Sequence, residues 1–191
     1  MSEALYLPFD CESGGIGDIS LLTAHFAACD KDFNVLDELN LLLKPKEVDE
    51  TGQSIYRVTA KALEINKIDL IKHNEVAISH SEAGGLLRQF LWKYSDNGAK
   101  YLVPVGKNIG GDVDWVNANI LGNREWRKFV SYRLYDITGL VIYLKRVGKL
   151  APDAPDSLQG IAQHLGIQAD WHTARGDNMA GIAVVRALEA L

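Results

Sequence analysis

The stretch Phe9-Asp10-Cys11-Glu12 constrains this chain more than any other. An apolar run, Leu5-Tyr6-Leu7, precedes it, and Ser13-Gly14-Gly15 follows. In a β-strand the side chains at i and i+2 share a face. Asp10 and Glu12 are therefore expected to project side by side from the end of an otherwise buried strand. Two carboxylates a few ångströms apart raise each other's proton affinity unless a cation lies between them. Mg²⁺ and Mn²⁺ favour carboxylate oxygen and are the usual such cations. Alternation on a solvated strand also produces Asp-x-Glu, so its meaning depends on what the rest of the chain brings to it.

Two later segments bring more. Asn108-Ile109-Gly110-Gly111-Asp112 follows a predicted strand and opens a predicted helix. Asp112, Trp115, Val116 and Ile120 fall on one helical stripe, which places Asp112 on the face toward the sheet. Asp114 falls on the opposite, solvated side. A first-turn acid is also favoured by the helix dipole alone. The last helix opens with His172-Thr173-Ala174-Arg175-Gly176-Asp177. Ala174, Asp177, Gly181, Val184 and Leu188 share its inward face. His172 sits just before the helix, where the backbone is freer to present its ring. A buried unpaired carboxylate is costly. One account covers the four acids: Asp10, Glu12, Asp112 and Asp177 hold two Mg²⁺ or Mn²⁺ ions, roughly 3.5–4 Å apart, for displacement at phosphorus. His172 suits removal of a proton from the attacking water, imidazole being the side chain that exchanges protons near neutral pH.

The whole chain sets bounds on this reading. At 191 residues, 47% hydrophobic and 24% charged, it is expected to form one domain, 1–191, with a core that needs no staple. The net charge of −5 argues against a generic polyanion binder. Cys11 and Cys29 are the only cysteines, with no Cys/His cluster, so a zinc site is not expected. No signal peptide and no apolar run of membrane-spanning length is recognised, which predicts a cytoplasmic protein without a membrane partner.

In chain order, strands are expected over 4–12, 16–28 and 35–43, with Pro8 at a bulge or unpaired position. Short turns between them predict an antiparallel meander. Thr59 is read as the cap of a short helix, Ala60 to Glu64, followed by a loop over 65–69. Ser81 is read as the cap of a helix reaching about Tyr94. A strand at 101–105, a helix from Asp112 to Leu121 and a strand at 132–135 follow. Helices over 137–147, 158–165 and 174–191 finish the chain. The predicted class is α/β, a mixed sheet flanked by helices.

Taken together, the motifs resemble the DEDDh branch of the DnaQ-like 3′–5′ exonuclease superfamily. Asp10, Glu12 and Gly15 match its first motif. Asn108 and Asp112 match its second, and His172, Ala174 and Asp177 its third. Thr173 stands where a tyrosine-type relative would carry Tyr, so the histidine branch is implied. Arg57-Val58-Thr59 and Ala62-Leu63-Glu64-Ile65-Asn66 also look like the family's intervening region. The resemblance implies an RNase H-like fold, two divalent metals and release of nucleoside monophosphates from the 3′ end of RNA or DNA. It further implies that Ser13, Gly15 and Ile16 line the terminal nucleotide. Lys107 is a candidate phosphate contact, and Asn108 is grouped with it as a substrate contact. The chain departs from the family at Ser13-Gly14, Lys107 and Gly111. Several relatives dimerise, so a homodimer is an option. The alternative is a non-catalytic nucleic-acid-binding or scaffold protein on the same fold, whose usual mark is a lost carboxylate. A haloacid-dehalogenase-type phosphatase would want Asp-x-Asp on the first strand, which Glu12 disfavours.

Between Gly122 and Lys149 seven basic residues accompany only two acidic ones. They are Arg124, Arg127, Lys128, Arg133, Lys145, Arg146 and Lys149, with Trp126, Phe129, Tyr132, Tyr135 and Tyr143 among them. Such a mixture suits tracking and stacking of a single strand, or equally a solvated helix over core aromatics. Trp92, Trp115 and Trp171 are expected in the core. His25, His73, His80 and His164 have no carboxylate at ligand spacing and are read as structural or surface residues. Asp136 is read as a helix start.

Overall fold

The computed structural model describes residues 3–15, 17 and 19–191. Strands β1 (Tyr6–Ser13), β2 (Leu21–Cys29) and β3 (Val35–Leu42) form the expected antiparallel meander. Helices α1 (Ala60–Asn66), α2 (Leu70–Val76) and α3 (His80–Tyr94) lead to β4 (Val103–Gly106), which lies parallel to β1. Then come α4 (Gly110–Asn119), α5 (Asn123–Trp126), β5 (Tyr135–Asp136), α6 (Ile137–Arg146), α7 (Leu158–His164) and α8 (Ala174–Glu189). The sheet order is β3-β2-β1-β4-β5, mixed as predicted.

Strand alternation divides the core between the two faces of the sheet. Leu7 and Phe9 of β1, and Ala24 and Phe26 of β2, pack with Leu87, Leu91, Val116 and Trp126 beneath α3, α4 and α5. Ala27 and Cys29 face the other way, among Ile137, Val141, Ile161, Val184 and Val185 of α6, α7 and α8. Asp10 and Glu12 follow Pro8 in the even register of β1, so they emerge on the α8 side. The helix starts are capped by short polar side chains. Thr59 accepts from Ala62 N, Asp136 from Thr138 N and Thr173 from Gly176 N.

The structure revises several predicted boundaries. β2 begins at Leu21: Gly14 N donates to Ser20 O, but Ser20 N donates to Arg57 O and Thr59 N to Gly14 O, which draws this stretch toward the segment before α1. Pro8 sits in register with Val105 of β4, and the irregularity falls at Glu12/Ser13. The cap of α3 is Ser79, not Ser81. Helix α2 was not foreseen; Asp69, read as loop, caps it by accepting from Ile71 N and Lys72 N. The four-residue α5 was also missed. β5 has only two residues, and Tyr132 lies outside it with 68% of its surface exposed.

Candidate active site

The C-terminal end of β1 and the first turn of α8 meet at three acids. One carboxylate oxygen from each of Asp10, Glu12 and Asp177 lies within 4.8 Å of the other two. Asp112, in the first turn of α4, stands beside them with a different tether. Its Oδ1 accepts a hydrogen bond from Cys11 N at 3.1 Å, between the two β1 acids. Among the described residues no lysine or arginine pairs with any of the four.

The electrostatics follow from burial and crowding. Asp10 is held well above the carboxylate range, by burial first and then by the charges of Asp112, Asp177 and Glu12. Burial, with Asp177 and Asp112 nearby, pushes Glu12 up to about 7. Burial raises Asp112 to about 7 against the opposing hydrogen bond from Cys11. Asp177 is raised by burial and partly relieved by the His172 N–H and ring. At neutral pH such a cluster retains protons that a divalent cation would displace. The donors are all hard carboxylate oxygens, which fits Mg²⁺ or Mn²⁺ and not a soft metal.

His172 adopts a left-handed backbone, φ 68°, and its N–H donates to Asp177 Oδ1 at 3.3 Å. It lines a cleft with Glu12, Thr23, Asn40, Asn66 and Arg175. The loop that presents it leans on α8 at Gly176. A Cβ there would stand 1.8 Å from Asp170 O, so any other residue would drive this loop away.

The residues expected to touch substrate are placed unevenly. Lys107 lies in a narrow cleft beside Asp10 and Asp177. Ser13 Oγ donates to Gly15 O at 2.7 Å, within its own turn. Gly15 packs against Thr59, with φ 144°. Asn108 is tied to the start of α6. Its N–H donates to Asp136 Oδ1 at 3.1 Å, and its Oδ1 accepts from Thr138 Oγ1 at 2.9 Å. Ile16 lies outside the described residues. Asp136 is a helix cap, as predicted.

The structure adds partners for two buried residues, decides one open reading and corrects one expectation. His25 does have a carboxylate partner, Glu38 on the neighbouring strand, which a search along the sequence could not pair with it. Asn178, not singled out, bonds to His25 and Pro8 directly beneath the acids. One signal for it existed: Asn178, Gly181, Ile182 and Val185 share an apolar stripe, where an amide is out of place. In the basic segment Trp126 and Phe129 are core residues, 0% and 4% exposed, and so are closed to stacking. Tyr132 and Tyr143 are open, while Lys128 and Lys145 are engaged by Glu125 and Asp156. Finally, Trp92 is 51% exposed rather than core.

No helix among the described residues is long and apolar enough to cross a membrane. No family model matches the sequence, and no curated protein matches it. Solved structures do. E. coli exonuclease I bound to a dT13 oligonucleotide superposes with TM-score 0.70 at 15% identity, covering 98% of this chain and 41% of that one. The zinc-bound E. coli exonuclease I–ssDNA complex gives TM-score 0.72 at 15% identity over 98% and 41%. A product-bound exonuclease I gives 0.69 at 15% identity over 99% and 44%. The chain thus spans about two fifths of the length of these neighbours, 41–44%. A mixed five-stranded sheet in the order β3-β2-β1-β4-β5, superposing on part of exonuclease I over almost all of this chain, is the RNase H-like fold.

Proposed function

We propose that residues 1–191 form a single metal-dependent 3′–5′ exonuclease domain of the DEDDh type, releasing nucleoside monophosphates from single-stranded nucleic acid. The observation that carries this reading is the convergence of Asp10, Glu12 and Asp177 within 4.8 Å, with Asp112 beside them. Such a set is expensive without a cation. Asp10, Glu12, Asp112 and Asp177 would hold two Mg²⁺ or Mn²⁺ ions. When bound, the ions supply Lewis acidity and charge neutralisation at phosphorus. His172, at the rim of the cleft that Glu12 lines, takes the proton from the attacking water. Lys107, beside Asp10 and Asp177, balances phosphate charge. The neighbours solved with dT13 and ssDNA favour DNA as the first substrate to try. These neighbours lend no support to a homodimer, and the proposal needs only one chain. All four acids are retained, which disfavours a non-catalytic scaffold.

The test uses matched 5′-labelled single-stranded DNA and RNA oligomers with Mn²⁺, and with EDTA as control. A metal-dependent ladder shortening from the 3′ end is the expected result, and the faster ladder names the sugar. Binding without cleavage of either oligomer would overturn the enzymatic reading.

A further inference from the structure

Behind the acids, on the same face of the sheet, lies a buried polar chain that neither the motifs nor the proposed chemistry uses. His25 on β2 is opposite Asp10 in the β1–β2 register and is 0% exposed. Asn178, 4% exposed, follows Asp177 on α8. The two N–H bonds of the Asn178 amide are shared among three acceptors: His25 Nδ1 at 2.9 Å, Pro8 O at 3.1 Å and His25 O at 3.3 Å. Two carbonyl acceptors leave no doubt about which end of the amide is nitrogen. His25 Nδ1 must then be the unprotonated, accepting nitrogen, and Nε2 carries the ring proton. That proton is donated to Glu38 Oε2 at 3.0 Å. Burial also holds the His25 ring below its ordinary proton affinity, in keeping with a neutral imidazole. Glu38 in turn accepts from Arg175 Nε at 2.7 Å and Nη2 at 3.2 Å. The first turn of α8 is thereby held to β1, β2 and β3 on either side of Asp177.

We propose that His25 is a positioning residue for the carboxylate site: acting through Asn178, its Nδ1 fixes the first turn of α8 so that Asp177 meets Asp10 and Glu12. The physical reason lies in the site itself. Repulsion among the acids pushes α8 away from β1, and a buried hydrogen-bond set with little slack resists it. Partners that orient metal-binding side chains from behind commonly change metal affinity or activity 10- to 100-fold on mutation. The proposal rests on the metal-dependent reading above, and its test separates the two.

Asparagine places a polar atom near Nδ1 of histidine, and glutamine places one near Nε2. His25→Asn should therefore keep the acceptor for Asn178 and lose the Glu38 link. His25→Gln should keep the Glu38 link and lose the acceptor. The readouts are Mn²⁺ affinity by calorimetry and kcat and KM on a single-stranded oligomer, with thermal unfolding to confirm folding. His25→Gln and Asn178→Ala are expected to lower Mn²⁺ affinity and kcat about tenfold each, with KM within about twofold. Their double variant should be no worse than either alone. His25→Asn should stay within about threefold of the native protein. Equal losses in His25→Asn and His25→Gln, or native Mn²⁺ affinity and kcat in both His25→Gln and Asn178→Ala, would overturn the positioning role. A native protein that binds Mn²⁺ but cleaves nothing would sink the exonuclease reading while leaving the affinity comparison in force.

Discussion

Two acidic sites touch the first turn of α8, and they are built in opposite ways. Glu38 is half-open to solvent and fully answered. Arg175 and His25 both donate to it, and they hold its carboxyl below the ordinary range. Asp10, Glu12, Asp112 and Asp177, a few residues away in the fold, are more buried and have no lysine or arginine paired with them among the described residues. All four are shifted upward. One site completes itself from the chain. The other leaves its charge unanswered by the chain, which is what the proposed metal site requires of it.

The largest expected effect separates the two at once. Asp10→Asn should abolish detectable cleavage and yet raise the melting temperature of the metal-free protein, because folding no longer has to bury or protonate that carboxylate. For a chain of this size each kcal/mol so recovered is worth about 2–4 °C. A lower metal-free melting temperature in that variant would break the comparison. Next comes His172→Ala, which should cut the rate about 10²–10⁴-fold with Mn²⁺ still bound. Weakened Mn²⁺ binding would instead make His172 a ligand and enlarge the incomplete site.

The pH dependence of metal-free stability sharpens the contrast, because the two sites give opposite slopes. Glu12 and Asp112 keep their protons to about 7 in the native state, against ordinary values of 4.5 and 3.8. Between those limits the unfolded chain binds fewer protons, so stability falls as pH rises. Glu38 is shifted down, so its contribution is present above its ordinary value of 4.5 and is lost as pH falls below it. Melting scans should therefore show declining stability from about pH 4.5 to 7 without metal, flattened or reversed by added Mn²⁺. A rising metal-free slope over that window would show that the acids are already compensated. The smallest effect is expected at the complete site. Glu38→Gln keeps an acceptor for His25 and loses an exposed ion pair with Arg175, worth at most about 1 kcal/mol. It should shift the melting temperature by a few degrees and leave the oligomer ladder unchanged.

The sequence by itself determined the carboxylate set and the class of fold. Asp10 and Glu12 follow strand period, Asp112 and Asp177 follow helix period, and both periods are local properties that survive translation into space. Helix caps such as Thr59 and Asp136 were legible for the same reason. What only the tertiary structure decided is pairing between distant segments. That Asp112 reaches Cys11 N, that Glu38 completes His25, and that Asn178 locks α8 to β1 each depend on sheet register and helix docking, which no local spacing encodes. The same limit explains the aromatics of the basic segment. Trp126 and Phe129 are drawn into the core by α5 and the chain beyond it, while Tyr132 is left outside the two-residue β5. Composition counts such residues alike; only the burial of apolar surface against a particular neighbour tells a stacking platform from a core side chain.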